Sequence, residues 1–315
     1  MASRVMGMGI VPLVCTTSAT AYNEIAETAS SPAPDSAGPA SWLQGGWWMI
    51  PIGAILLVLF CASRSSRLTR LPRQPWNFRP GVGYSFVLLS IIVGAIGAQI
   101  ALAFTGQPSE ESTDAIRILT IVTMVSLSCQ GAVLLCMPGW WSRRAPGQED
   151  TRPGFGFCAV FGLFALAIFW PIVQSILLVS SMIRTSITGE PPSEIAHDTL
   201  LMLSDSDASG WRWALVAMII LMVPVVEETI YRGLLQESLR RHRTLTNGSS
   251  WLAITIASVI FTVMHGGVTS IEGLVSLFVL SLGLGWAFAR TGRLITPIVM
   301  HAGFNAWNIL LASFL

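Results

Sequence analysis

A chain of 315 residues with 52% hydrophobic and only 11% charged side chains, and a mean hydropathy of +0.64, is too apolar for one or two soluble domains and reads as an all-α polytopic membrane protein. The formal net charge of +1 gives no sign of nucleic acid as a partner. The five cysteines, Cys15, Cys61, Cys129, Cys136 and Cys158, are odd in number and scattered, which argues against a disulfide framework or a thiolate metal site.

Residues 1–40 are poor in bulky apolar side chains after Pro12 and rich in Ala, Ser, Thr and Pro, so a disordered external segment is expected there. Arg4, the apolar run over 5–15 and the triplet Ala19-Thr20-Ala21 resemble a weak secretory signal, although Pro12 interrupts the run. Eight apolar stretches of spanning length follow, near 42–62, 83–105, 116–138, 155–183, 211–230, 250–266, 270–290 and 294–315. They divide in the loop around 184–210 into a four-helix membrane region, 41–204, and a second unit, 205–315. The first holds almost no ionisable interior residue; its Gln99, Gln130 and Gln174 read as glue between helices. Within the divide, Glu194–Leu203 reads equally as an interfacial helix or a plain loop.

All 18 basic residues are arginines, and they sort by loop. Arg64, Arg67, Arg70, Arg73 and Arg79 follow the first stretch; Arg143, Arg144 and Arg152 the third; Arg240, Arg241 and Arg243 the fifth; Arg290 and Arg293 the seventh. The alternate loops carry mostly acids, from Glu110 to Glu272. An excess of arginine marks the cytoplasmic side, so both termini are expected outside. Trp47, Trp48, Trp76, Trp140, Trp141, Trp211, Trp213 and Trp251 lie at or near stretch ends, as interfacial anchors do.

The second unit holds the chemistry. Glu227, Glu228, Arg232, His265, His301 and Asn305 lie in stretches that a bilayer should enclose, where ionisable groups are costly and mark function. Glu228 with Arg232, Phe261 with His265, and His301 with Asn305 are each four residues apart, hence on one helical face. Pro224 predicts a kink just before the glutamates. Adjacent helical residues point about 100° apart, so Glu227 and Glu228 serve different roles. Glu228 is placed to pair with Arg232, in the favourable order for an ion pair.

That pairing leaves Glu227 as the free carboxylate, a general base able with His265 to deprotonate a water. His301 and Asn305 supply donors for the oxyanion formed when that water attacks a carbonyl. At ~1.5 Å per residue from the arginine-rich boundaries, Glu227 lies ~20 Å deep, His265 ~22 Å and His301 ~12 Å, a spread that helix tilt can absorb. Taken singly, the Glu228–Arg232 pair also reads as a structural salt bridge, and Asn305 as helix glue. A non-catalytic membrane scaffold or a proton relay would use the same residue types.

The ordered set Glu227-Glu228-x-x-x-Arg232, Phe261-x-x-x-His265 and His301-x-x-x-Asn305 resembles the CPBP family of intramembrane proteases, which includes the type II CAAX prenyl endopeptidases and bacteriocin-immunity relatives. The similarity covers about residues 205–315, and the first four stretches suit the family's eight-helix architecture. The resemblance implies a glutamate-dependent endopeptidase in which Glu227 and His265 activate water. His301 and Asn305 would form the oxyanion hole, with Glu228 and Arg232 organising the site. Its substrate would be a membrane-associated or lipidated peptide or protein, met within the bilayer. Members were long described as metalloproteases, and Glu227, His265 and His301 match a three-ligand zinc site. The helical His-Glu-x-x-His arrangement is absent, and no cofactor is expected. The lack of lysine beside abundant Ala, Gly and Arg points to a GC-rich genome and a bacterial inner membrane, with the site opening to the cytoplasm.

Overall fold

The computed structural model describes residues 47–63, 68, 78–106, 112–137, 152–189 and 210–312. Eight principal helices form among them: α1 (Met49–Ala62), α2 (Pro80–Thr105), α3 (Ser112–Leu135), α4 (Phe155–Thr188), α5 (Gly210–Arg241), α6 (Ser250–Met264), α7 (Ile271–Thr291) and α8 (Ile295–Ala312). A single further turn, Arg243–Thr246, joins α5 to α6. The described residues hold no strand, only an isolated bridge between Gly266 and Thr269. In lipid this is the expected outcome, because helices satisfy their backbone groups internally.

Each of the eight predicted stretches is therefore a helix, but they differ in reach. Six of them, α2 to α5, α7 and α8, are long and apolar enough to cross a membrane, whereas α1 and α6 have 14 and 15 residues. At the other extreme, the 34 residues of α4 extend ~51 Å, well beyond a ~30 Å hydrocarbon core. The segment 1–40 and the stretch Glu194–Leu203 lie outside the described residues.

Packing gathers the helices around two cores. The first joins the second half of α5 to α2, α3 and α6 through Val87, Leu134, Ile230, Leu234, Ala257 and Phe261. The second joins α4, α7 and α8 through Ala165, Phe169, Leu280, Leu284, Trp286 and Met300. Small residues set the closest approaches. A Cβ on Gly162 of α4 would lie 2.6 Å from the Thr296 carbonyl at the start of α8. Leucine, isoleucine, valine and phenylalanine side chains left exposed on α1 to α4, such as Ile55, Val58, Leu88, Ile92 and Phe164, form the face that lipid would cover.

Two side-chain expectations change. Gln130 bonds Ser126 on its own helix at 3.3 Å and lies over Gly94 of α2, and the buried Gln99 amide nitrogen has no hydrogen-bond partner. Gln236 of α5 does link helices: its Nε2 donates to the Gly285 carbonyl of α7 at 3.0 Å. Trp47, Trp48, Trp211 and Trp213 are exposed at helix starts as anchors should be, while Trp251 packs against the second core.

Candidate active site

Helix α5 is not uniformly α-helical. Its α stretch Val223–Glu228 is hung between two π-helical segments, Met218–Met222 and Thr229–Gln236. The expected disturbance at Pro224 takes this form: the amide of Val223 reaches back five residues to the Met218 carbonyl. Widened turns of this kind recur at functional sites, and here they bracket both glutamates.

Glu228 is fully buried and its carboxylate is shared. Arg232 Nε lies 3.1 Å from Oε2, and His301 Nδ1 lies 2.8 Å from Oε1. The Arg232 guanidinium, with 2% side-chain exposure, also donates to Ser281 Oγ of α7 at 3.0 Å. Glu228 thus ties α5 to α8 directly and to α7 through Arg232. Buried charges endure in this way, paired and hydrogen-bonded.

Glu227 faces another direction and keeps 21% side-chain exposure, against 0% for Glu228. His265 Nε2 stands 3.8 Å from its Oε1, and His301 Nε2 stands 3.9 Å from its Oε2. Both imidazoles are oriented from behind. His265 Nδ1 is 2.8 Å from the Phe261 carbonyl, which can only accept, so Nδ1 carries the hydrogen and Nε2 is turned to Glu227. His301 Nδ1 donates to Glu228 in the same sense, leaving its own Nε2 toward Glu227. Helix α6 ends at Met264, and the chain turns away through Gly267 at φ +102°, a conformation suited to glycine. His265 is thereby presented at a helix end.

The ring of Phe261 is the packing centre of the site. It lies 4.4 Å from the His265 ring, 6.2 Å from the His301 ring and 4.8 Å beneath the Arg232 guanidinium. An aromatic face against a desolvated cation is itself stabilising. Asn305 is placed differently from the others. Its Nδ2 donates to the backbone carbonyl of Ile219 at 2.9 Å, about two turns before the glutamates on α5. One of its two amide hydrogens is therefore engaged within the protein.

The sequence-predicted residues Glu227, Glu228, Arg232, His265 and His301 converge from α5, α6 and α8, whereas Asn305, one turn beyond His301 on α8, bonds Ile219 instead. Sequence reading did not find the Glu228–His301 bond, nor Ser281 and Gln236. Ser281 and Gly285 share with Arg232 and Gln236 a spacing of four, which marks a common face, yet a lone buried serine on an apolar helix gives no signal. Glu227, His265 and His301 do not close into a metal-holding set; no group of three or more His, Cys, Asp or Glu among the described residues does.

Comparison with known proteins agrees with the motifs. Residues 209–307 match the family model described as Type II CAAX prenyl endopeptidase Rce1-like, a match that spans all six candidate residues. An Escherichia coli protein described only as an uncharacterized 24.3 kDa protein is 30% identical over 92 residues, 29% of this chain and 41% of that protein. The chain thus spans about two fifths of that relative's length. No solved structure matches the chain.

Proposed function

We propose that the chain is an intramembrane endopeptidase that cleaves a membrane-associated or lipidated peptide with a water activated by Glu227 and His265. The observation that carries this reading is the contrast between the glutamates: Glu228 is sealed and doubly bound, whereas Glu227 is accessible between two imidazole Nε2 atoms at 3.8 and 3.9 Å. Those gaps exceed a direct hydrogen bond, yet one water oxygen can reach Glu227 and His265 at ~2.8 Å each.

In this mechanism the water gives a proton to the Glu227 carboxylate as its oxygen bonds to the scissile carbonyl carbon. The carbonyl π electrons move to oxygen. The resulting oxyanion meets His301 Nε2 and the second amide hydrogen of Asn305. His301 donates from Nε2 only as an imidazolium, because Nδ1 already holds a hydrogen for Glu228. Glu228 is the anion that stabilises this charged form, and Arg232 holds Glu228 in place. Collapse of the tetrahedral intermediate breaks the C–N bond, and the proton held by Glu227 passes to the departing amine. This route needs no ion, because Glu227 and His265 activate the water themselves. The arginine-rich loops lie on the cytoplasmic side of a bacterial inner membrane, with both termini outside.

Comparative mass spectrometry of membrane peptides tests the reading. Cells with the wild-type chain should yield a product missing from cells with Glu227→Ala or Glu227→Gln, and purified protein should retain cleavage of that substrate in strong chelator. Loss with chelator would return the zinc reading. A phenotype that survives Glu227→Gln without any product would favour the non-catalytic scaffold.

A further inference from the structure

Proline at 224 and asparagine at 305 lie on different helices, α5 and α8, and the π-helical turn before the glutamates links them. Within that turn the Val223 amide bonds the Met218 carbonyl, five residues back. The next carbonyl in this register belongs to Ile219, and the residue five positions after it is Pro224, which has no amide hydrogen to give. Asn305 Nδ2 fills that place, donating to Ile219 O at 2.9 Å. An unsatisfied carbonyl at membrane depth is costly, so a side-chain donor from a neighbouring helix stabilises the break.

We propose that Asn305 is a positioning residue: it caps the carbonyl that Pro224 leaves without a backbone donor, and so fixes the widened turn that aims Glu227. The six-residue stretch Val223–Glu228 has irregular helix on both sides, and its rotation about the α5 axis decides which glutamate faces His265. A rotation of about 100°, the step between adjacent residues, would replace Glu227 by a neighbour. Glu228 is held from α8 by His301 and, through Arg232, from α7; Asn305, one turn beyond His301, holds the π-helical turn that leads into the stretch. Two contacts from one face of α8 therefore set the register of α5. The effect on cleavage rests on the function proposed above, whereas the capping contact stands without it.

A double-mutant cycle of Pro224→Ala and Asn305→Ala, in full-length protein in detergent, tests the idea without a substrate. The readouts are amide hydrogen exchange by mass spectrometry and the thermal midpoint. Asn305→Ala alone should speed exchange in peptides from 217–232 by roughly tenfold, the scale of one lost buried partner, while α4 and α7 keep wild-type rates. Pro224→Ala restores an amide at position 224, so adding Asn305→Ala to it should change exchange and midpoint little. Equal losses in both backgrounds, or a loss spread evenly over all helices, would overturn the proposal. Should Pro224→Ala fail to fold, Asn305→Leu serves in its place: it keeps the volume and removes both donors, and wild-type exchange over 217–232 would sink the cap. If the cap stands and no Glu227-dependent product exists, the protease reading fails and the positioning contact remains.

Discussion

Glu228 and Arg232 show how far a buried charge depends on its counterpart. Both are enclosed, and each also holds a neighbour, His301 for the carboxylate and Ser281 for the guanidinium. Arg232→Met should therefore destabilise the protein by about 3–5 kcal/mol, because a carboxylate is left in the interior without its cation. Adding Glu228→Gln removes that charge while keeping an oxygen that accepts from His301 Nδ1, so most of the lost stability should return. Thermal midpoints of the two variants in the same detergent check this. A second substitution that lowers the midpoint further would show that the salt bridge is not what Arg232 contributes.

At the scale of helices, the spacing of four residues was legible in the sequence because it states which side chains share a face, and Glu228–Arg232 met that expectation at 3.1 Å. Distances between helices were not legible. Counting from the arginines left His301 ~10 Å shallower than the other groups, yet its Nε2 stands 3.9 Å from Glu227. Counting supplies no tilt, and α8 takes its place from contacts with α4 that glycine permits. Gly162→Ala puts a Cβ at 2.6 Å from the Thr296 carbonyl, a backbone atom that cannot swing aside. It should lower stability by about 1–3 kcal/mol and displace α8 together with His301. Gly156→Ala on the same helix meets nothing within 4 Å and serves as the matched control, neutral or slightly stabilising. Equal midpoints for the two variants would mean that the α4–α8 approach tolerates expansion.

Over the whole molecule, the apolar composition named the class and the number of helices, and the motifs drew attention to residues 205–315. What the motifs leave out is the support that this part receives from the rest of the chain. Helix α4 packs along both α7 and α8, and α2 along the second half of α5. At one end the carboxylate of Glu272 on α7 takes a hydrogen bond from Arg184 of α4 at 3.2 Å. At the other, Arg241 of α5 donates to the Phe78 carbonyl just before α2 at 3.2 Å. Phe169 of α4 stacks edge-on or tilted with Phe60 of α1 and Trp286 of α7, so one aromatic group crosses the proposed division at 204 and 205. Residues 205–315 expressed alone would leave Leu280, Leu284 and Met300, all fully enclosed in the intact chain, without the α4 side chains that cover them. Lipid can wet those side chains but cannot reproduce the packing or the Arg184 contact. The fragment should therefore be degraded or aggregate in membranes, and co-expression with residues 41–204 should restore a detergent-stable complex, detectable as co-purification through a tag on one part. A fragment that accumulates alone with the thermal midpoint of the full chain would show that the motif-bearing helices carry their own stability, and that α1 to α4 serve something other than holding α7 and α8 in place.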